Sequence, residues 1–175
     1  MKRFVVLTAV SLFLAVAFPL TAQAQMESES TFMIGPRATV SLQDISDAYD
    51  GDFAIGADAR YKTSEFPVQG NAAFDFYFAA ENTTVFTIDV NVVYPLNVGE
   101  AFNPYVGGGL GYTNISFDTD TDTRFGGFSG SDTGLNLVGG AEFEIGGATS
   151  PFAQLQFTVG DLDRLGIMGG ILFSL

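Results

Sequence analysis

The sequence predicts an all-β protein, an eight-stranded antiparallel up-and-down transmembrane β-barrel, and three observations predict it. Apolar and polar residues alternate with a period of two through eight segments of the chain. Each segment is about 9–12 residues long, the length that a tilted membrane strand needs. The polar side of these segments carries few charges, which is typical of a narrow lumen rather than of a water-facing surface.

The N-terminus has the features of a secretory signal peptide. Lys2 and Arg3 form a positive region, residues 4–20 are almost entirely apolar, and Ala22-Gln23-Ala24 is a small-x-small cleavage site. The alternative is an uncleaved membrane anchor, although the apolar run is short for a helix that spans a bilayer. We expect three regions: a cleaved signal peptide (1–24), a short N-terminal segment (25–30) and the transmembrane barrel (31–175).

Composition excludes several classes of function. Cleavage would remove two of the seven basic residues and none of the 20 acidic ones, leaving a net charge of −15. Such a chain is unsuited to nucleic acid, whose phosphates require basic patches. The 175 residues include no cysteine and no histidine, so disulfides are excluded and the commonest general base and metal ligand are missing.

Alternation alone leaves open which face of the barrel meets lipid, because a soluble lipocalin-like barrel has the same period with its apolar face inward. Three basic and five acidic residues lie on the polar face, a net charge of −2. Small and mixed-charge residues suit a narrow lumen, where opposite charges pair, so the phenylalanine-rich face is predicted to contact hydrocarbon. The predicted lumen polar network consists of Arg37, Asp58, Arg60, Lys62, Asp75, Asp89, Glu142 and Glu144. These charges either line a pore or plug the lumen, and the narrow interior of eight strands favours the plug.

Aromatic residues near strand ends are candidates for interfacial girdles. These are Phe32, Tyr61, Tyr94, Tyr105, Phe152 and Phe173. Tyr105 and Phe152 fall on the face assigned to the lumen, which indicates either a bulge or an error in the assigned register.

The connections alternate in length, with tight turns near 63–68, 97–103 and 146–150 and longer Asp-, Ser-, Gly- and Thr-rich loops near 43–51 and 118–133. Turns on the periplasmic side and loops outside are the outer-membrane arrangement. In the second loop, Asp118, Asp120 and Asp122, with Asp132, form a tentative weak Ca²⁺ or Mg²⁺ site. The alternative is a solvated acidic loop, and the EF-hand pattern itself is not met. No other cofactor is expected.

Residues 103–112, Asn-Pro-Tyr-Val-Gly-Gly-Gly-Leu-Gly-Tyr, resemble the P-Y-x-G-x-G-x-G strand of the small outer-membrane β-barrel family, often labelled porin-like or OmpA/OmpX-like. The resemblance implies a cell outer-membrane location of the Gram-negative type. It also implies that the last strand, through Ile171, Phe173 and Leu175, is the signal read by the barrel-assembly machinery. Lipid-modifying enzymes built on such barrels use a histidine, which this chain lacks, so no catalysis is expected.

The sequence therefore predicts an outer-membrane protein of structural or surface-interaction type, with acidic loops facing outward. Acidic residues of the first loop include Asp44, Asp47, Asp50 and Asp52. The expected partners are outer-membrane lipid and lipopolysaccharide, the latter through bridging cations, and the expected state is a monomer. A narrow porin-like channel for small solutes and, less favoured, a soluble periplasmic lipocalin-like binding barrel are the alternatives.

Overall fold

The structure is a computed structural model, and it describes residues 30–42, 51–80, 82–96, 101–117 and 129–175. The signal peptide and its cleavage site lie outside the described residues, as do most of the two long loops. No helix in the described ranges is long and apolar enough to span a membrane.

Eight antiparallel strands close into one barrel, in which every strand pairs with its neighbours in sequence and β1 also pairs with β8. This confirms the predicted fold class. The strands are β1 (Ser30–Ser41), β2 (Phe53–Thr63), β3 (Gln69–Tyr77), β4 (Thr83–Pro95), β5 (Phe102–Phe117), β6 (Ser129–Phe143), β7 (Thr149–Val159) and β8 (Arg164–Ser174). Closure leaves no open sheet edge along the barrel wall, as hydrocarbon requires.

The distribution of apolar and polar side chains between the two faces of the wall is the reverse of that in a soluble barrel. Large apolar side chains such as Leu135, Leu137 and Val90 are exposed on the outside, whereas Asp58, Asp75 and other polar side chains are buried within. A soluble lipocalin-like barrel would carry the apolar set inside. The structure therefore confirms the prediction that the apolar, phenylalanine-rich side faces outward and the polar side faces the lumen.

The barrel has two distinguishable rims. The terminal rim carries the start of β1, the end of β8 and the short connections after β2, β4 and β6. The loop rim lies at the opposite end and carries the connections after β1, β3, β5 and β7. This assignment orders every interior residue by depth, because each strand runs from one rim to the other.

Apolar side chains lie inside the barrel near both rims. Near the loop rim, Ala54, Tyr77, Val85 and Ile115 form a buried cluster against which Leu162, from the turn between β7 and β8, packs. We call this cluster the loop-side cap.

Two further buried clusters lie toward the terminal rim and together form the terminal-side cap. One cluster contains Met33, Phe152 and Leu172, and the other contains Val93, Tyr105 and Val138. The polar part of the lumen therefore lies between two apolar caps.

Tyr105 and Phe152 lie in the lumen because the regular pairing of their strands places both side chains on the inward face. Tyr105 pairs in unbroken sequence with Pro95 on β4 and Gly140 on β6, and Phe152 pairs with Glu142 and Gly170. Neither position has a bulge, so the assignment of both rings to an interfacial girdle was wrong. The alternation of side chains nevertheless predicted the correct face of the wall for both residues, the lumen face.

A lipid-facing charge at mid-depth should destabilise the barrel more than one near a rim. Val90→Lys, at the middle of β4 and 57% exposed, is expected to lower the unfolding free energy by about 2–4 kcal/mol. Val40→Lys, near the loop rim and 44% exposed, is the matched control and should cost about 0–1 kcal/mol. Urea titration in lipid vesicles measures both, and equal costs would contradict the depth assignment.

Candidate functional site

The candidate site is the polar interior between the two caps, which we call the lumen network. The structure brings together six of the eight charged residues that the sequence assigned to the lumen. Arg37, Asp58, Arg60, Asp75 and Asp89 are almost fully buried, and Glu142 is partly buried beside Arg60. Each of them is on the inward-facing side of its strand because side chains alternate between the two faces.

Arg60 on β2 is held by charge and by aromatic rings. Its Nε donates to Asp58 Oδ1 at 2.9 Å, its Nη1 ion-pairs with Glu142, and its Nη2 donates to Tyr105 Oη at 3.2 Å. The guanidinium carbon lies 4.3 Å from the ring centre of Phe152 and 5.0 Å from that of Tyr105. The two lumen aromatics thus form a desolvated cation–π site that holds this arginine in place.

Arg37 on β1 lies nearer the loop rim and connects two carboxylates. Its Nη2 lies 2.8 Å from Asp75 Oδ2, and its Nη1 lies 3.3 Å from Asp58 Oδ2. Asp58 therefore receives both arginines, one on each oxygen. This shared carboxylate joins the terminal half of the network to the loop half.

Arg164 is a member of the network that sequence reasoning missed. It is the first residue of β8, and its Nη2 lies 2.9 Å from Asp89 Oδ1. Spacing could have found it, because Arg164 lies two and four residues before the buried Gly166 and Met168 and so shares their inward face.

A row of neutral amides joins the separate ion pairs. Asn136 donates to Asp89 at 3.0 Å and to Asn91 at 2.9 Å. Asn91 donates to Asn71 at 3.1 Å, and Asn71 donates to Asp58 at 2.8 Å. Hydrogen bonds therefore connect the carboxylate beside Arg164 to the one beside Arg60.

Lys62 and Glu144 do not join the lumen network, so their assignment to it was wrong. Both are exposed, and Glu144 accepts a hydrogen bond from Asn103 at 2.9 Å. Lys62 lies on the same face as Arg60 but next to the end of β2, and Glu144 follows the end of β6. The alternation of side chains predicts which face of the wall a residue is on, but not how far it lies from a rim. Lys62 and Glu144 lie at the terminal rim and are exposed there.

The tentative metal site is only partly described. Asp118, Asp120 and Asp122 lie outside the described residues, and no group of carboxylates in the described part is arranged to hold a metal ion. Asp132 is described, and its Oδ2 accepts a hydrogen bond from the backbone of Leu162 at 2.9 Å.

The predicted assembly residues lie along the outer face of β8. Ile171, Phe173 and Leu175 are all exposed, and β8 is the strand that closes the barrel against β1. The backbone nitrogen of Leu175 donates to the carbonyl of Phe32 at 2.9 Å, so the pairing continues to the last residue of the sequence.

Comparison with known proteins identifies a family and several solved structures with the same architecture. The family model for the outer membrane protein beta-barrel domain matches residues 10–162. No curated protein matches the sequence.

Solved structures share the fold at low sequence identity. Ail, the attachment invasion locus protein of Yersinia pestis, is 18% identical with a TM-score of 0.62, covering 86% of this chain and all (100%) of Ail. Neisserial surface protein A is 12% identical with a TM-score of 0.56, covering 82% and 96% of the two chains. OprG of Pseudomonas aeruginosa is 13% identical with a TM-score of 0.51, covering 85% and 97%.

These likenesses show the fold, and the family match covers most of the sequence. Closure, an apolar exterior and a charged interior are what that family requires of a membrane wall. The chain belongs to the outer membrane protein β-barrel family and is a protein of the outer membrane.

Proposed function

We propose that this barrel is a structural or surface-interaction protein of the outer membrane, in which the wall anchors the loops and conducts no solute. The observation that carries the proposal is the lumen network, which fills the interior between two apolar caps. Eight strands enclose a space just wide enough for side chains. Here three arginines and four carboxylates occupy that space and pair with one another.

The space beside these side chains is narrow at two described places. A cavity of about 10 Å³ lies among Tyr77, Gln156, Thr158, Arg164 and Met168, which is room for about one water molecule. At Gly111, an added methyl group would lie 2.5 Å from Arg164 Nη2 and 2.6 Å from Asp89 Oδ1. The absent side chain of Gly111 is therefore what makes room for the ion pair.

Gly111→Ala should be destabilising because both neighbours are held by charge and cannot move away freely. We expect a loss of about 1–3 kcal/mol in unfolding free energy. Gly139→Ala, on β6 where nothing lies within 4 Å of the added atom, is the matched control and should change stability by less than about 0.5 kcal/mol. Urea unfolding in vesicles compares them, and a neutral Gly111→Ala would show that the lumen has spare room.

The reconstituted barrel should show no steady unitary currents in a planar lipid bilayer, because the Arg60 layer and the caps block the lumen. Loss of Arg60 and Phe152 alone leaves the loop-side cap and the Arg164 pair in place, so the variant that should conduct is Arg60→Ala, Phe152→Ala, Tyr77→Ala, Arg164→Ala, which opens both halves of the lumen. Heat-modifiable gel migration verifies that each protein has folded before the recording. Steady currents from the unchanged protein would favour the alternative of a narrow porin-like channel.

We propose further that the protein has no catalytic activity. The sequence has no histidine and no cysteine, so the usual base and the strongest nucleophile are missing. The buried carboxylates and arginines lie between the two caps, where a substrate would have to displace an ion pair to reach them. Their arrangement supports a structural role for these groups.

We also propose that the protein is a monomer and that the barrel-assembly machinery inserts it. A closed sheet offers no free edge to a second copy, which supports a monomer. The exposed apolar row of Ile171, Phe173 and Leu175 on the closing strand is the segment that we propose the barrel-assembly machinery recognises.

The loop rim supports a surface role that depends on cations. Its described residues include Asp52, Asp132, Asp161 and Asp163, and the nearby Arg164 points inward to Asp89. The acidic Asp44, Asp47 and Asp50 and the 118–128 segment belong to the same loops and lie outside the described residues. Ail has been solved in complex with the heparin analogue sucrose octasulfate, an anion. An acidic rim would need bridging divalent cations to hold an anionic partner such as lipopolysaccharide.

Binding of lipopolysaccharide to the barrel in nanodiscs should therefore increase with millimolar Ca²⁺ and fall when a chelator is added. Nanodiscs without protein provide the baseline. Calorimetry with Ca²⁺ alone tests the tentative weak site at Asp118, Asp120, Asp122 and Asp132, and Asp132→Asn should weaken any heat that it detects. Absence of calcium binding at millimolar concentration would remove that site, and cation-independent lipopolysaccharide binding would contradict the bridge.

A further inference from the structure

Strands β5 and β6 continue past β7 at the loop rim. β6 pairs with β5 as far as Ser129, whereas its pairing with β7 begins only at Leu135. Residues 129–134 of β6 and their partners on β5 therefore extend the wall beyond the end of β7. We call the outer face of this extension the neutral face, and its residues are Tyr112, Asn114, Ser116, Ser129, Ser131 and Thr133.

The neutral face consists of three cross-strand pairs that point away from the lumen. The pairs are Tyr112 with Thr133, Asn114 with Ser131, and Ser116 with Ser129. Thr113 and Ile115, which alternate with the β5 members, are buried inside the barrel. The β5 members therefore point outward, and the β6 members opposite them are exposed on the same side.

The neutral face begins where the apolar face of the wall ends. Leu110 and Leu135 form the preceding pair on the same side and are 57% and 63% exposed. The ring of Tyr112 packs against Phe86 with centroids 6.3 Å apart, while its hydroxyl accepts a hydrogen bond from Asn114 at 3.4 Å. A tyrosine with an apolar contact at its ring and a polar contact at its hydroxyl is typical of a membrane interface. The neutral face therefore lies at the depth of the lipid headgroups, on the side of the long extracellular loops.

The chemistry of the neutral face differs from that of the rest of the loop rim. Its side chains are hydroxyls and one amide, whereas Asp52, Asp161 and Asp163 give the neighbouring connections a negative charge. Ser116 donates to Asn114 at 3.3 Å, so the polar side chains of β5 form a row. Hydroxyl and amide groups both donate and accept hydrogen bonds, as the hydroxyls of a sugar do, and they offer no charge to a phosphate or a cation.

We propose that the neutral face binds the sugar groups of the lipopolysaccharide molecules that border the barrel. The inference rests on the proposed function, in which cations at the acidic loops hold lipopolysaccharide, and it adds a contact of another kind. The acyl chains of such a molecule would lie against the apolar wall around Leu110 and Leu135, which places its headgroup beside the neutral face. The sugars then contact uncharged side chains, while the phosphates depend on the bridging cations.

A double variant tests the sugar contact. Asn114→Leu, Thr133→Val removes an amide and a hydroxyl with little change in shape. Thr149→Val is the control, because Thr149 lies on the outer face of β7 at the opposite rim, paired with Phe173. Each protein, after its folding is verified by heat-modifiable gel migration, is placed in nanodiscs at one millimolar-range Ca²⁺ concentration. Binding of lipopolysaccharide is then compared with binding of lipid A, which lacks the core sugars.

The unchanged protein and Thr149→Val should prefer lipopolysaccharide to lipid A, and the double variant should lose roughly tenfold of that preference, as expected for two hydrogen bonds. Equal binding of the two lipids by the unchanged protein, or an unaltered preference in the double variant, would overturn the inference. The Ca²⁺ dependence of lipid A binding tests the cation bridge separately, since that lipid has no core sugars. Failure of the bridge and failure of the sugar contact are thereby distinguishable.

Nuclear magnetic resonance of the unchanged protein provides a measurement that needs no variant. Replacing lipid A by lipopolysaccharide in the nanodisc should shift the backbone amide signals of Asn114, Ser131 and Thr133. The amides of Leu137 and Leu155, on the apolar wall, are the internal control and should stay in place. Equal shifts in both groups, or none at the neutral face, would contradict the proposal.

Discussion

Hydrocarbon offers no hydrogen-bond partner to a peptide group, and the rest of the structure depends on this constraint. Every strand must pair on both sides, so the sheet closes from β1 to β8. Because the sheet is closed, alternate side chains of each strand point into the lumen and out of the barrel. The outside takes the apolar set, and charged side chains within the wall then have only the lumen in which to lie.

Nearly all of the charged side chains in the lumen form ion pairs with one another. Asp58 accepts from both Arg37 and Arg60, and a row of asparagines extends the hydrogen bonding to Asp89. Breaking one buried partner would leave an uncompensated charge, which costs about 3–5 kcal/mol. The network is therefore a set of mutually dependent contacts, with buried apolar clusters toward either rim.

The period of two was enough to predict the strand number, the closed fold and the face of almost every residue. It was not enough to predict depth, and for that reason Lys62 and Glu144 were placed in a lumen that they do not reach. Strand ends are set by pairing across the sheet, so Arg164, which lies directly after a turn, was left out. Tyr105 and Phe152 were treated as anomalies of register because single residues do not reveal that a cation from another strand lies between them.

The surroundings of Arg60 have a consequence for the order in which the barrel assembles. Its contacts come from β2, β5, β6 and β7, and Glu142 is 82 positions away along the chain. In a partly formed sheet this guanidinium would have only Asp58 of its own strand as a partner, and its contacts with Glu142, Tyr105 and Phe152 arise only when the distant strands arrive. These long-range contacts therefore favour the complete barrel over a partly paired sheet, beyond what the pairing of neighbouring strands supplies.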